Sequence, residues 1–151
     1  MTEIAIADGA NVLEKVVLGG DLAKLTPLER VSYYSKVCDS LGLNPLTRPF
    51  DYIVLNGRLT LYANRTAADQ LRSLRGISIT RVERDLTNEV YVVTAYGTDR
   101  TGRSDAARGA VPIMGLKGEA LANAYMKAET KAKRRVTLSI SGLGMLDESE
   151  V

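Results

Sequence analysis

The residues that could act chemically are cations set at helical spacing near the end of the chain. Within 116–140, LKGEALANAYMKAETKAKRRVTLSI, the residues Asn123, Lys127, Thr130, Lys131 and Arg134 recur every three or four positions, and Arg135 borders them. Leu121, Tyr125, Ala128, Ala132 and Val136 recur at the same spacing on the opposite side. A helix with so narrow and small an apolar stripe approaches a sheet or another helix closely. Its other side then holds a row of cations in fixed geometry, which matches the regular negative charge of a nucleic-acid backbone. The same pattern also describes the solvated outer face of an ordinary packed helix.

Other basic and amide side chains extend the candidate set. Arg48 and Arg58 belong to a short hairpin and its lead-in, Asn64 and Arg65 stand at a helix start, and Arg100, Arg103 and Lys117 lie in connecting loops. A helix start adds backbone N–H groups and a dipole that favour phosphate. The net charge is only +2, so a basic surface requires uneven distribution. Glu3, Asp8, Glu14, Asp21 and Glu29 crowd the first thirty residues, and Lys117, Lys127, Lys131, Lys133, Arg134 and Arg135 crowd the last helix.

What is missing narrows the chemistry. The chain has 151 residues, no histidine, and one cysteine, Cys38. Histidine acid–base catalysis, Cys/His nucleophile pairs, zinc fingers and disulfides are excluded. No phosphate-binding G-x-x-x-x-G-K-[ST] run occurs. Asp51, Asp69 and Asp105 stand in no recognised metal-ligand spacing, so neither an enzyme nor a cofactor is expected. With seven Tyr, one Phe and no Trp, extensive stacking on bases is not expected, and Tyr52 and Tyr62 are expected to face one another across a hairpin. No apolar run reaches membrane-spanning length and the N-terminus lacks a signal-peptide layout, which points to a cytoplasmic protein without membrane contact.

These side chains need positioning elements. A short helix is expected from Ala10 to Leu18. Thr26-Pro27-Leu28-Glu29 is a capped helix start, with Val31, Tyr34, Val37, Cys38 and Leu41 as its buried stripe and Gly42 as its stop. Phe50–Leu55 and Arg58–Ala63 read as strands around Asn56-Gly57, the strongest short hairpin signal. Asn64 caps a helix over Arg65–Arg75 with Ala67, Ala68, Leu71 and Leu74 facing inward, and Gly76 ends it. Strands are expected over Ile77–Arg84, Glu89–Gly97 and Arg103–Val111, with turns at Leu86-Thr87-Asn88 and Asp99-Arg100-Thr101-Gly102. The expected fold is α+β: a β-hairpin, a helix, a three-stranded antiparallel meander and a long basic helix lining a nucleic-acid groove, with the free sheet face as the groove's other wall. One domain spans 1–151, with residues 1–25 expected in subunit contacts.

Two blocks carry a family resemblance. The first, Val37 to Leu71, holds LGLNPLTRPFDYIV, the Asn-Gly turn and NRTAADQL; the second, Ala120 to Glu150, holds AETKAKRRVTLSISGLGMLDESE. Together they cover somewhat under half the chain, and they resemble the phage single-strand DNA annealing proteins of the Red beta and RecT family. In that family a GLNP-T-K/R lead-in precedes a hairpin and short helix. A Lys/Arg-rich helix then ends in an Arg, apolar residues, a Gly and an acidic tail. Arg48 stands at the basic position of the lead-in, Arg135 at the helix-terminal Arg, and Asp147-Glu148 in the tail. The segment Ala110–Gly118 is shorter than the corresponding family loop.

The resemblance implies an ATP-independent protein of homologous recombination in a bacterial host cell. It would hold single-stranded DNA through phosphate contacts and let a complementary strand pair, working as an oligomeric ring or helical filament. Its partners would be single-stranded DNA, the annealed duplex intermediate and further copies of the chain. A phage exonuclease or a host single-strand binding protein would dock on a further C-terminal domain, and the chain stops at Val151, so this segment is not expected to recruit them. Two other readings stay open on the residues alone. One is a general nucleic-acid module, for RNA as well as DNA, that does not anneal; the other is an assembly protein whose basic face meets an acidic partner.

Overall fold

The computed structural model describes residues 12–143. The expected start of the first helix at Ala10 and the acidic tail at Asp147-Glu148 lie outside them. Residues 12–19 are helical (α1). After a 3-10 turn at Leu22–Lys24, the second helix (α2, Pro27–Leu41) opens on a complete capping box, with Glu29 N donating to Thr26 Oγ1 and Thr26 N donating to Glu29 Oε1. Gly42, at φ 75°, closes it in the left-handed conformation that a side chain disfavours. The expected stripe is right at Tyr34, Val37, Cys38 and Leu41, but Val31 is exposed.

The hairpin forms where its turn residues place it. Strands β1 (Phe50–Leu55) and β2 (Arg58–Ala63) pair from Phe50↔Ala63 to Leu55↔Arg58, with Asn56 and Gly57 both at positive φ. Asp51, not Tyr52, lies opposite Tyr62, so the expected tyrosine pair does not form; Tyr52 instead packs on Tyr34 and donates to the Arg30 carbonyl at 2.8 Å. Helix α3 (Arg65–Arg75) follows, but Leu74, expected inside, is exposed.

A separate sheet runs β3 (Ser78–Thr87), β4 (Val90–Thr98), β5 (Ser104–Pro112), antiparallel throughout. The first turn is Asn88-Glu89, both at positive φ, one residue later than the sequence pattern suggests. A register shift between Ile79 and Arg81 leaves Thr80 as the extra residue of a bulge. The bulge switches parity, so Ile79 before it and Val82 after it share the buried face. Unbroken alternation along the strand would put these two apolar residues on opposite faces.

The long helix α4 (Gly118–Ile140) lies on that buried face. Its small stripe permits a very close approach. A Cβ on Gly109 of β5 would stand 2.3 Å from the Ala128 carbonyl and 2.5 Å from the Ala132 nitrogen. The stripe itself is Ala124, Ala128, Ala132, Val136 and Ile140; Tyr125, expected within it, is 39% exposed and tilts against Tyr91. Two hydrophobic clusters result. One joins Ile77, Val93, Ala95 and Val111 to that stripe. The other gathers Val12, Leu22, Leu25, Cys38, Phe50, Leu61, Ala67 and Leu71, and α4 sends Leu138 into it. Residues 12–25 are thus tied to their own chain, with Asp21 Oδ1 also accepting from Leu59 N at 2.9 Å; Leu13, Val17 and Leu18 remain exposed.

Candidate nucleic-acid interface

Helix α4 covers one face of the meander and leaves the other face free. The sheet's free face carries Arg81, stacked over the Tyr96 ring at 4.3 Å, and Tyr96 donating to Glu83 at 3.0 Å. This corrects the expected groove between free sheet face and basic helix, since the sheet stands between the two.

Cations gather instead where α3 crosses the second half of α4. A cleft of about 150 Å³ is lined by Arg65, Ala68, Asp69 and Arg72 from α3 and by Thr130, Lys133 and Arg134 from α4. Four cations meet one carboxylate there. Asp69 reaches Arg72 at 2.6 Å and Arg65 at 3.6 Å, and Lys133 reaches Glu129 at 3.3 Å from along its own helix. Arg134, expected on the outer helix face, is only 6% exposed. The reason is that α3 packs against the C-terminal half of α4, so the side opposite the alanine stripe is covered there and open only nearer the N-terminus. A guanidinium held at the floor of a narrow cleft acts in a lower effective dielectric than one in bulk water, so its pull on an entering anion is less screened.

Of the other expected residues, Asn123 and Lys127 are exposed on the first half of α4, Lys117 stands just before its start with no side-chain capping bond, and Lys131 and Arg135 are half-buried. The Lys131 Cβ sits over Gly109, so its stem belongs to the helix–sheet contact. Arg48 is exposed and lies 3.6 Å from Asp51. Asn64 is engaged within the protein: its Oδ1 accepts from Thr66 N and Ala67 N at 2.9 and 3.4 Å, and its Nδ2 donates to the Arg48 carbonyl at 2.7 Å and to Asp51 at 3.1 Å. The two N–H groups expected to greet a phosphate at the α3 start are therefore already capped, and Asn64 positions the loop before β1 instead. Arg58 stands at the hairpin end beside Gly20 and Asp21. Arg100 folds over Gly76 at the end of α3. Arg103 is exposed in the β4–β5 turn, where its backbone N–H helps hold Asp99 in the ionised form; the Thr101 hydroxyl is the larger cause of that carboxyl's lowered pKa.

Arg72 and Lys133 line the cleft without having been singled out from sequence. A signal existed for the first: Arg65, Asp69 and Arg72 recur at four and three residues and so share one face of α3. Lys133 lies three residues beyond Thr130, on the flank of the cationic stripe. Among the described residues no three acidic, cysteine or histidine side chains cluster to hold a metal, and no helix is long and apolar enough to cross a membrane.

No family model matches the chain, and no curated protein sequence matches it.

Proposed function

We propose that this protein binds single-stranded DNA through its phosphates and promotes the pairing of complementary strands without nucleotide hydrolysis, as a member of the Red beta and RecT family. One observation carries the reading. The cleft draws on both sequence blocks that carry the family resemblance, Arg65 and Asp69 from the first and Thr130, Lys133 and Arg134 from the second, with Arg72 one residue beyond the first block. Side chains about sixty positions apart in sequence have no local reason to bring four positive charges together.

Pairing of complementary strands is downhill, so the protein supplies charge neutralisation and shape rather than fuel. Arg65, Arg72, Lys133 and Arg134 would take phosphate at the cleft, with Lys127 and Lys131 continuing along α4 and Arg48, Arg58, Arg100, Arg103, Lys117 and Arg135 as outer contacts. Contacts to phosphate carry no sequence information, which suits a protein that must accept any strand. A single cleft of this size takes one phosphate group, so a useful length of strand needs many copies side by side. Heterologous contacts generate rings where the rotation closes and helical filaments where it does not.

The test mixes two complementary fluorescent oligonucleotides with the protein and no nucleotide. Pairing is expected to accelerate over protein-free controls and to slow as salt rises. Absence of acceleration overturns the annealing role; tight binding without acceleration returns the protein to a plain nucleic-acid module. Electron microscopy with and without the strands reads the assembly. Replacing Arg65 and Arg134 by Ala is expected to weaken all sequences alike and to flatten the salt slope by about 0.7 per lost single-strand phosphate contact.

A further inference from the structure

Between α2 and β1 the chain makes a tight 3-10 turn, Pro45–Thr47, whose middle residue Leu46 is 89% exposed. An exposed leucine is ordinary on a protein surface. Its mounting here is not. Asn44 Oδ1 accepts from Leu46 N at 3.0 Å, and the Thr47 hydroxyl donates to the Asn44 carbonyl at 2.7 Å. Gln70 of α3 clamps both ends, donating to Thr47 Oγ1 at 2.7 Å and accepting from Asn44 N at 3.4 Å. On the far side Arg48 is locked in the left-handed region at φ 53°, its carbonyl held by Asn64, and Pro49 is buried behind it. Two prolines and five side-chain hydrogen bonds thus fix a loop that holds one aliphatic side chain in water.

Cations surround the side chain on both sides of its loop. Arg48 follows it two residues later with a largely exposed side chain, and Arg65 opens the helix that also carries Gln70. That helix has the cationic cleft on one flank and the Leu46 loop on the other. A strand seated in the cleft and crossing α3 would run its phosphates past Arg65 and its bases toward Leu46.

We propose that Leu46 is a base wedge: an aliphatic side chain that packs against the face of a nucleobase and breaks its stacking on the next. The inference rests on the nucleic-acid reading above and adds a second contact chemistry to it. Rigid apolar side chains beside phosphate-holding cations unstack bases in this way. An annealing protein gains from it, because bases splayed from their neighbours can test a partner strand.

The test uses the full chain and a single-stranded oligonucleotide carrying 2-aminopurine, whose fluorescence rises when stacking is lost. Wild-type protein is expected to raise the signal per bound strand. Leu46→Ala is expected to bind about tenfold more weakly, with an unchanged salt slope, and to lose that rise at saturation. Leu46→Met is expected to keep it, and Gln70→Ala, which frees the loop while leaving the leucine, to keep only part. Wild-type fluorescence from saturated Leu46→Ala overturns the wedge while leaving the phosphate cleft standing. Unchanged fluorescence together with a smaller assembly assigns Leu46 to contacts between copies and overturns it equally. Failure of the wild-type protein to bind the strand at low salt removes the nucleic-acid reading itself.

Discussion

Gly109→Ala offers the sharpest test of how α4 is held. Gly109 is buried in β5 with no positive φ, so alanine meets no backbone strain there. The cost is contact alone. The added Cβ would lie 2.3 Å from the Ala128 carbonyl oxygen, 2.5 Å from the Ala132 nitrogen and 2.7 Å from the Lys131 Cβ, all within the helix itself. No side chain can swing aside to relieve this, so α4 must lift from the sheet by most of an ångström. Overpacking that side chains can absorb costs about 1–3 kcal/mol. Here rigid backbone must yield, so the cost is expected above about 3 kcal/mol, against less than about 1 kcal/mol regained by removing a flexible glycine from the unfolded chain. For a chain of this size the net loss lowers the melting temperature by at least about 4–8 °C. Two controls calibrate it. Gly97→Ala meets chiefly the Ile140 Cδ1 at 2.9 Å, the mobile end of a side chain, and is expected to cost about 1 kcal/mol. Gly19→Ala meets nothing within 4 Å and is expected to be neutral or stabilising by up to about 1 kcal/mol. Thermal and urea denaturation of the three variants measure the order. A Gly109→Ala protein as stable as Gly19→Ala would refute the close helix–sheet approach and, with it, the placement of Lys133 and Arg134 against α3.

Three further outcomes follow from other parts of the fold. Asp69→Asn removes the one carboxylate lining the cleft, which holds Arg72 at 2.6 Å and Arg65 at 3.6 Å. Oligonucleotide affinity by fluorescence anisotropy is expected to rise several-fold at low salt, and a loss of affinity would contradict the competition between Asp69 and phosphate. Thr26→Ala breaks the capping box of α2 and is expected to lower stability by about 1 kcal/mol in urea unfolding, with oligonucleotide binding unchanged. Burial pushes the Tyr52 phenol up to about 12. Its folded pKa thus lies above its unfolded value near 10, so its contribution to stability is complete below pH 10 and is lost as pH rises toward 12. Tyrosinate absorbance, comparing wild type with Tyr52→Phe, reads that titration directly.

Much of the fold was legible because local chemistry and tertiary packing agree. The capping box at Thr26 and Glu29, the Asn56-Gly57 turn and the Asn64 cap each fix a boundary by their own hydrogen bonds or dihedral angles, and the hairpin strands and α3 fall where those signals put them. Packing decided the rest. The bulge at Thr80 leaves no mark in the residue types, yet it reverses which side chains of β3 face inward. Val31, Leu74 and Tyr125 satisfy helical spacing but sit at the margins of their stripes, where a small rotation of the helix decides between core and water. The candidate site followed the same rule. Periodicity identified the cations of α4 but not that α3 would cover Arg134, since which element packs on the second side of a helix is a long-range matter. Asn64 was recognisable as a cap, and that role occupies the oxygen a ligand would have needed, while the Arg48 carbonyl and Asp51 occupy its amide nitrogen.

The last turns of α4 serve two hydrophobic cores at once: Val136 and Ile140 belong to the meander's, and Leu138 belongs to the one built by the hairpin with α2 and α3. Neither half can therefore melt while the other persists, because opening either strips a helix that both require. A protease nick at the Gly76 junction between α3 and β3 would not release two separately folded fragments. It would leave a complex held together by this shared helix, in which slow-exchanging amides near its C-terminus report the stability of the whole molecule.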